Sequence, residues 1–342
     1  MTKKSISRNL TTKTNEWLNS ITDTELRNDL KSNIIVTGGA IASMFLNEQV
    51  NDYDIYISNK QVLIRLANYY CEQFNKSQPS NSTPAWVLDG EDIAAWKSGD
   101  KCISSFAHGY DPVQYEPAME WNAEEGRHLS YGPSGMLLNT APDQVKIIIN
   151  SDGIAEDNTA DEVDYDVEEY VERTQSNNEQ PKNKYRPIFI SANAITLSDK
   201  IQIVVRFYGD PEEIHSNYDF VHCTGYWHST NKKVVADAEV LEALMNKVLV
   251  YRGSKYPIAS MIRTRKFIKR GYHINAGQYL KMAMQINKLD LNNIYVLEDQ
   301  LTGVDSIYFM QFIRQVRKQI ESGKSIDLTG DYVTTVIDRI FN

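Results

Sequence analysis

The sequence has few cysteines and no long hydrophobic run. Its three cysteines are scattered and lack metal-ligand spacing, a usage typical of reduced thiols in a cytosolic protein (Cys71, Cys102 and Cys223). No apolar run approaches the ~20 residues that a membrane-spanning helix needs. The basic N-terminal residues 1–8 are not followed by a hydrophobic signal core. We therefore expect a cytoplasmic protein with no membrane partner.

The net charge of −9 is unevenly distributed along the 342 residues. Residues 151–179 contain eleven acidic residues and one arginine, whereas residues 243–289 contain ten Lys or Arg and no acid. The acidic stretch has too few apolar residues to pack, so we expect it to be mobile. The basic stretch predicts a surface for an anionic partner such as nucleic acid.

Residues 33–57 are the most informative segment. They predict a buried strand at 34–36, a Gly38-Gly39 turn, a short amphipathic helix and a second strand with an Asp-X-Asp pattern. The two glycines allow a sharp turn and a close approach of the backbone to a phosphate. This order of elements is suited to a site for a metal ion and a nucleotide.

Asp52 and Asp54 are the candidate metal ligands. Side chains alternate along a strand, so the two carboxylates share one face while Tyr53, Ile55 and Ile57 point into the core. Adjacent carboxylates repel each other unless a cation lies between them, and Mg²⁺ is the usual ion when the substrate is a triphosphate. The alternative is that the two acids only end a strand.

This segment resembles the signature of DNA polymerase β-like nucleotidyltransferases, and it is most similar to the head domain of tRNA CCA-adding enzymes and bacterial poly(A) polymerases. The resemblance implies an α+β fold, with a mixed sheet and helices, a large insertion and a mainly helical C-terminal domain. It also implies that Asp52 and Asp54 are catalytic with Mg²⁺ or Mn²⁺, and that Gly38 and Gly39 contact an NTP.

The same families carry a third acid on a later strand, and here the sequence departs from them. The matching strand, residues 201–206, has Gln202 at that position, so a second metal would be held more weakly. Asp219 is our candidate substitute, in a segment that resembles the family's Arg-Asp-Phe-Thr-Ile-Asn-Ala. The alternative role for Asp219 is a helix N-cap.

Residues 256–272 resemble the helix that follows the head domain in these families. Tyr256 and Ala259 replace the acid and arginine that select the base in CCA-adding enzymes, and Ala42 replaces an arginine after the Gly-Gly turn. Base selection of the CCA type is therefore not expected. Three arginines are candidates to contact the triphosphate instead: Arg206, Arg263 and Arg265. The alternative is a solvated basic helix face.

The rest of the sequence predicts the organisation of the chain. The patterns predict helices over 9–31 and 62–74, strands over 145–149, 185–191 and 200–207, a turn at 197–199, a helix start at 209–213 and mainly helices from 237 onward. The predicted divisions are the first part of the head domain (1–75), an insertion with the acidic loop (76–184), the second part of the head domain (185–245) and a helical neck and C-terminal domain (246–342). The insertion is a candidate lid or protein-docking element, and the alternative is an insertion with no functional role.

Two functional hypotheses follow. The first is an enzyme that transfers a nucleoside monophosphate from an NTP to an acceptor hydroxyl, with an RNA 3′ end or tRNA as the leading acceptor and a protein or small molecule as alternatives. The second is a catalytically inactive nucleotidyltransferase fold that serves as a binding or virion-associated protein. Nucleotidyltransferase-like proteins of tailed phages are similar, which would place the chain in the host cytoplasm.

A zinc or thiol site at His222-Cys223 is not expected, because no second pair completes it.

Overall fold

The computed structural model describes residues 1–78, 84–90, 119–122, 127–130, 144–149, 184–291, 296 and 300. The helices are α1 (Lys3–Ser20), α2 (Thr24–Leu30), α3 (Gly39–Leu46), α4 (Lys60–Ser77), α5 (Pro211–His215), α6 (Ala238–Met245), α7 (Pro257–Lys269) and α8 (Ala276–Ile286), with a 3₁₀ turn at Val221–Cys223. The strands are β1 (Ile34–Thr37), β2 (Tyr53–Ile57), β3 (Trp86–Asp89), β4 (Met119–Asn122), β5 (Arg127–Ser130), β6 (Val145–Ile148), β7 (Pro187–Ile190), β8 (Ala194–Leu197), β9 (Ile201–Val204), β10 (Tyr226–His228) and β11 (Lys233–Val235).

A seven-stranded mixed sheet organises the described residues, in the order β11-β10-β1-β2-β9-β8-β7. β2 pairs with β1 in the antiparallel sense and with β9 in the parallel sense. Two further pairs, β3 with β6 and β4 with β5, form separate two-stranded sheets. The architecture is therefore α+β, as the sequence predicts.

The two faces of the sheet have different surroundings. On one face, alternate residues of β1, β2 and β9 join the main core with α1, α2 and α4, and Ile55 and Ile203 are typical members. On the other face, Ile35, Tyr56 and Val204 form a smaller cluster with Ile214. This period of two confirms the predicted inward direction of Ile55 and Ile57 and leaves Asp54 on the second face.

The N-terminal helical region is two helices, so the single helix predicted over 9–31 is wrong. α1 ends at Ser20, and Asp23 begins α2 by accepting a hydrogen bond from the Leu26 N–H at 2.9 Å. A capping aspartate forms a helix start more readily than a helix interior, and the apolar spacing continues across the break.

The region between 185 and 207 contains one more strand than the sequence indicates. β8 lies between β7 and β9 and pairs with both of them, so 197–199 is the turn of the second hairpin only. The two short strands β10 and β11 were also not predicted. Both contain three residues, and β10 gains its place by pairing with β1, a contact that local patterns do not reveal.

Other predictions agree with the structure. α4 buries the predicted apolar stripe, β6 covers the predicted strand at 145–149, and α6, α7 and α8 follow residue 237. The acidic residues 151–179, predicted to be mobile, lie outside the described residues. Among the helices that the structure describes, none is both long and apolar enough to cross a membrane.

Candidate nucleotide and metal site

The turn between β1 and α3 brings backbone and carboxylate close together at Gly38. Gly38 has φ +79°, a conformation that residues with a Cβ rarely adopt. A Cβ placed on it would lie 3.0 Å from Asp54 Oδ2 and 3.3 Å from the Tyr218 hydroxyl oxygen. The backbone of the turn therefore packs directly against a carboxylate and a phenol, and a side chain at position 38 would not fit.

The start of α3 faces open space. The helix has no side-chain cap at Gly38, and a Cβ on Gly39 would meet no described atom within 4 Å. The first N–H groups of a helix have no partner within the helix and carry the positive end of its dipole. Such a start favours an anion such as a phosphate.

Asp54 lies between two neutral side chains of the sheet. In the strand register it is opposite Thr37 of β1 and Gln202 of β9. Asp52 immediately precedes β2, two residues away along the strand direction, and both aspartates are partly exposed. The residue beside Asp54 on β9 is thus an amide, and the predicted match of residues 201–206 to the family strand with a third acid stays a prediction.

Tyr218 adds a protonated phenol to this face. Its hydroxyl donates a hydrogen bond to the Tyr56 hydroxyl oxygen at 3.0 Å. Burial raises the pKa of Tyr218 well above its ordinary value, and the neighbouring Tyr56 and Asp54 raise it further. The hydroxyl therefore stays neutral beside the Asp54 carboxylate.

A buried histidine holds the end of β1. The Thr37 hydroxyl donates to the Gly225 carbonyl oxygen at 2.8 Å, so His215 Nε2, also 2.8 Å from Thr37 Oγ1, acts as the donor in their contact. Burial, followed by the charge of Arg252, lowers the pKa of His215 to about 4. The neutral ring fixes Thr37, and with it the entrance to the Gly38 turn.

Asp219 is paired with Arg263 and does not cap a helix. The residue is 5% exposed, and its carboxylate forms an ion pair with the Arg263 guanidinium on α7. The 3₁₀ turn that follows it has Phe220 as its N-cap residue and no side-chain cap. Asp219 and Arg263 were both predicted as site residues, and in the structure they form an ion pair with each other.

Cys223 connects this ion pair to the Gly38 turn. Its carbonyl oxygen accepts the Gly38 N–H at 3.1 Å. Burial raises the pKa of its thiol, and the carboxylates of Asp219 and Asp54 both contribute in the same direction. Both carboxylates therefore act electrostatically on one buried thiol.

Arg206 is covered in this structure. It is 4% exposed, donates a hydrogen bond to the Tyr256 hydroxyl, and lies 4.6 Å from the centre of that ring. A triphosphate would reach the guanidinium only if Tyr256 moved. The predicted contact between Arg206 and an NTP therefore requires a rearrangement at the start of α7.

Arg265 lies on the exposed side of α7, whereas Thr264 and Phe267 face the core. Further exposed cations follow it at Lys269 and Arg270. The predicted basic face is therefore present on the exposed side of α7, opposite the residues of this helix that are buried. Its predicted contact with a triphosphate stays a prediction.

His222 has the surroundings of a structural histidine. Its ring centre lies 4.5 Å from that of Phe267 and 4.7 Å from that of Tyr272, and Nε2 is 3.3 Å from Cys223 Sγ. Burial lowers the pKa of His222 to about 3. A neutral ring between two aromatic side chains has a packing role, in agreement with the sequence analysis.

The residues present fit one divalent cation better than two. Asp52 and Asp54 supply carboxylate oxygens, the ligands that Mg²⁺ prefers, and the surroundings of the neighbouring Gly39 are open. Gln202 stands where a third carboxylate would be needed, and within the described part of the chain no group of three or more His, Cys, Asp or Glu could hold an ion. Sequence reasoning missed Thr37, Tyr56 and His215, because their roles depend on contacts between distant segments.

Two solved structures are similar to this chain at a low level. A Thermotoga maritima CCA-adding enzyme complexed with tRNA aligns with 85% of this chain and 49% of its own, at 9% identity and a TM-score of 0.32. A tRNA-processing enzyme with CTP aligns with 85% of this chain and 56% of its own, at 10% identity and a TM-score of 0.33. TM-scores of this size carry no argument about a shared fold or function.

The sequence comparisons are more specific. The "Gabija anti-defense 2" protein of Bacillus phage SPbetaL7 is 21% identical over 152 residues, which are 42% of this chain and 38% of that protein. The match thus spans well under half the length of that relative. The model of the Gabija anti-defense 2 family matches residues 8–247, most of the chain. The chain therefore belongs to the Gabija anti-defense 2 family.

Proposed function

We propose that this chain is a metal-dependent nucleotidyltransferase that moves a nucleoside monophosphate from an NTP to an acceptor hydroxyl. The observation that carries the proposal is the convergence at Gly38, where a glycine backbone, the uncapped start of α3 and the Asp54 carboxylate meet. A triphosphate needs a positive backbone site, and its Mg²⁺ needs carboxylate oxygens beside it. The resemblance to the polymerase β-like signature supports the same reading.

The chain's own residues have distinct roles in this proposal. The N–H groups at the start of α3 bind phosphate oxygens, and Asp52 and Asp54 hold the cation. When bound, Mg²⁺ (or Mn²⁺) would neutralise charge on the triphosphate and the leaving pyrophosphate. Tyr218 and Tyr56 keep the wall behind Asp54 neutral, and His215 fixes the end of β1. The acceptor oxygen bonds to the α-phosphorus as pyrophosphate leaves, and the acceptor proton is released.

The acceptor in this proposal is an RNA 3′ end. Its support is the basic surface on and around α7, where Arg265, Lys269 and Arg270 are exposed. Such a surface binds phosphates of any sequence, which suits an acceptor that is recognised mainly by its backbone. A protein or small-molecule hydroxyl would be the alternative acceptor.

A catalytically inactive binding protein is the second candidate. Three observations favour it: Gln202 adjoins Asp54, Tyr256 covers Arg206, and Asp219 is already paired with Arg263. Each reduces the charge available to hold a triphosphate and a second ion. The paired aspartates favour the enzyme, because a fold kept only for binding does not need them.

The family and the phage relative support the same biological role whether the protein is an enzyme or an inactive binding protein. We propose that the protein counteracts host antiviral defence in the host cytoplasm, as the name of its family indicates. The nucleotidyl group would then be transferred to a molecule on which the defence depends.

The decisive experiment incubates the purified protein with Mg²⁺ or Mn²⁺, each labelled NTP in turn, and host RNA, protein or small-molecule fractions. The control is the double variant Asp52→Asn/Asp54→Asn, checked for folding by circular dichroism. Label transferred by the wild type and lost in the double variant would establish the enzyme and its acceptor. Absence of transfer, with both proteins folded, would favour the binding protein.

A second experiment separates chemistry from biological role. Wild type and the double variant are expressed in bacteria that carry the Gabija defence, and the plating efficiency of a phage restricted by it is measured. We expect the wild type to restore plating and the double variant to fail. Equal restoration by both would show that the role does not need the carboxylate pair.

A further inference from the structure

The turn between β8 and β9 has an unusual backbone. Asp199 and Lys200 are consecutive residues with φ of +61° and +63°, and neither is glycine. In this conformation Cβ approaches the following carbonyl oxygen, which costs free energy in every residue except glycine. An aspartate tolerates it through local hydrogen bonds, but a lysine has no such compensation. The three-residue hairpin loop between Leu197 and Ile201 requires such a conformation, and the role of the Lys200 side chain follows from its own contacts.

Lys200 contacts the segment of Asp52 on both sides. Its carbonyl oxygen accepts the Tyr53 N–H at 2.8 Å, and its Nζ donates to the Val50 carbonyl oxygen at 3.1 Å. Tyr53 follows Asp52 directly, and Val50 precedes it by two residues. One residue therefore fixes the backbone before and after a candidate metal ligand.

The turn is itself fixed by α1. Lys13 Nζ donates to the Asp199 carbonyl oxygen at 2.6 Å and lies 5.4 Å from the centre of the Tyr53 ring. It also lies 5.0 Å from the centre of the Tyr185 ring. Burial lowers the pKa of Lys13, as expected for an ammonium enclosed by aromatic rings and backbone. The turn cannot relax without breaking these contacts.

We infer that Lys200 is a positioning residue, which orients the Asp52 carboxylate through the backbone of Val50 and Tyr53. Asp52 lies before the first residue of β2, and the parallel pairing with β9 holds the residue that follows it, through the bond from the Tyr53 N–H to the Lys200 carbonyl oxygen. The Lys200 ammonium adds a second restraint on the other side of Asp52, through its hydrogen bond to the Val50 carbonyl oxygen. This inference rests on the proposed function, because it assigns Asp52 to a metal–nucleotide site.

Two glycine variants distinguish the effect of the left-handed backbone from the effect of the Lys200 side chain. Lys200→Gly and Asp199→Gly each relieve one left-handed residue and add similar flexibility to the unfolded chain. Only Lys200→Gly removes the ammonium. Lys200→Arg keeps a cationic donor and serves as the rescue variant.

The first measurement is hydrogen–deuterium exchange of the amides in residues 50–54. We expect exchange in Lys200→Gly to be faster than in wild type by about tenfold, the effect of one lost hydrogen bond from a charged group. Asp199→Gly and Lys200→Arg should exchange like wild type. Equal exchange in Lys200→Gly and Asp199→Gly would overturn the inference.

The second measurement is the rise in melting temperature caused by Mg²⁺ with NTP, relative to the same protein without them. We expect a reduced rise for Lys200→Gly, and a wild-type rise for Asp199→Gly and Lys200→Arg. If Lys200→Gly retains the full rise, Lys200 does not position Asp52 for binding. If wild type shows no rise, the proposed nucleotide site fails, while the exchange rates still decide whether Lys200 fixes the segment.

Discussion

At the scale of single residues, the site depends on how closely Gly38 approaches the Asp54 carboxylate. Replacing Gly38 with alanine would strain a backbone at φ +79° and place a Cβ 3.0 Å from Asp54 Oδ2. We expect Gly38→Ala to destabilise the fold by about 1–3 kcal/mol, the range for strained backbone positions. It should also displace Asp54 and weaken binding of Mg²⁺ with NTP.

Gly39→Ala is the matched stability control. A Cβ there meets no described atom within 4 Å, and alanine favours a helix more than glycine does. Urea unfolding should therefore give Gly39→Ala at least wild-type stability. Equal loss of stability in the two variants would show that the close approach at Gly38 has no special cost.

Gln202 places a neutral amide beside Asp54, at a position where a carboxylate would add negative charge. We predict that Gln202→Glu binds Mn²⁺ about 10–100-fold more tightly than wild type, the range by which neighbouring groups change metal affinity. The added carboxylate adjoins Asp54 in the strand register, so repulsion between them is relieved when a cation binds.

Isothermal titration calorimetry with Mn²⁺ tests this prediction and also reports the number of ions bound. Gln202→Asn keeps the neutral amide and should bind like wild type. If Gln202→Glu and Gln202→Asn bind Mn²⁺ equally, the residue at this position does not contribute to metal binding.

At the scale of elements, the buried His222 ring joins the 3₁₀ turn at Val221–Cys223 to α7, because it packs against Phe267 of that helix. The pKa of His222 is about 3 in the folded protein and near its ordinary 6.5 in the unfolded chain. The unfolded chain therefore binds more protons between these values. The contribution to stability is complete above pH 6.5 and is lost as the pH falls, by about 2 kcal/mol at pH 5.

His222→Phe removes this titration while keeping a ring between Phe267 and Tyr272. We expect its free energy of unfolding, measured in urea at pH 7 and pH 5, to change less with pH than that of wild type. A remaining slope of the same sign is expected from His215, whose pKa is also lowered. Identical slopes in wild type and His222→Phe would contradict the prediction.

Elements with strong local patterns were predicted from the sequence, and those defined by distant pairing were not. The continuous apolar run of β1 and the apolar alternation of β2 and β9 indicated these strands, and the alternation of β2 indicated the face that carries Asp54. β10 is three residues long and has a place only because β1 is beside it, so its sequence alone gave no signal. The boundary between α1 and α2 was missed because apolar spacing continued across a capping residue.

The candidate site shows the same division. Gly38, Gly39, Asp52 and Asp54 lie in one continuous segment, so their order in the sequence revealed them. Thr37, Tyr218 and His215 act through contacts across about 180 positions of sequence, which no local pattern encodes. The contacts of Lys200 with Val50 and Tyr53 are of the same kind.

At the scale of the whole molecule, the uneven charge matters more than the net value of −9. If the basic surface near α7 binds RNA, each cation lost should reduce the dependence of log affinity on log salt by about 0.7 for single strands. Lys269→Gln/Arg270→Gln should therefore bind host RNA more weakly and with a slope smaller by about 1.4. Both side chains are exposed.

Fluorescence anisotropy with labelled single-stranded RNA at several salt concentrations measures both quantities. Lys76→Gln removes an exposed cation at the end of α4, outside the basic segment, and should leave the slope unchanged. If Lys76→Gln changed the slope as much, per charge removed, as Lys269→Gln/Arg270→Gln does, RNA binding would reflect only the net charge of the protein.

The pairing of β2 with β9, and of β1 with β10, has a consequence for synthesis of the protein. Asp54 is made early, but its neighbour Gln202 is synthesised about 150 residues later, and β10, the partner strand of β1, begins only at Tyr226. A nascent or prematurely terminated chain that stops before residue 201 contains both aspartates and the glycine turn, yet β2 still has an open edge. The site and the sheet around it would therefore be complete only after β9 and β10 have been synthesised.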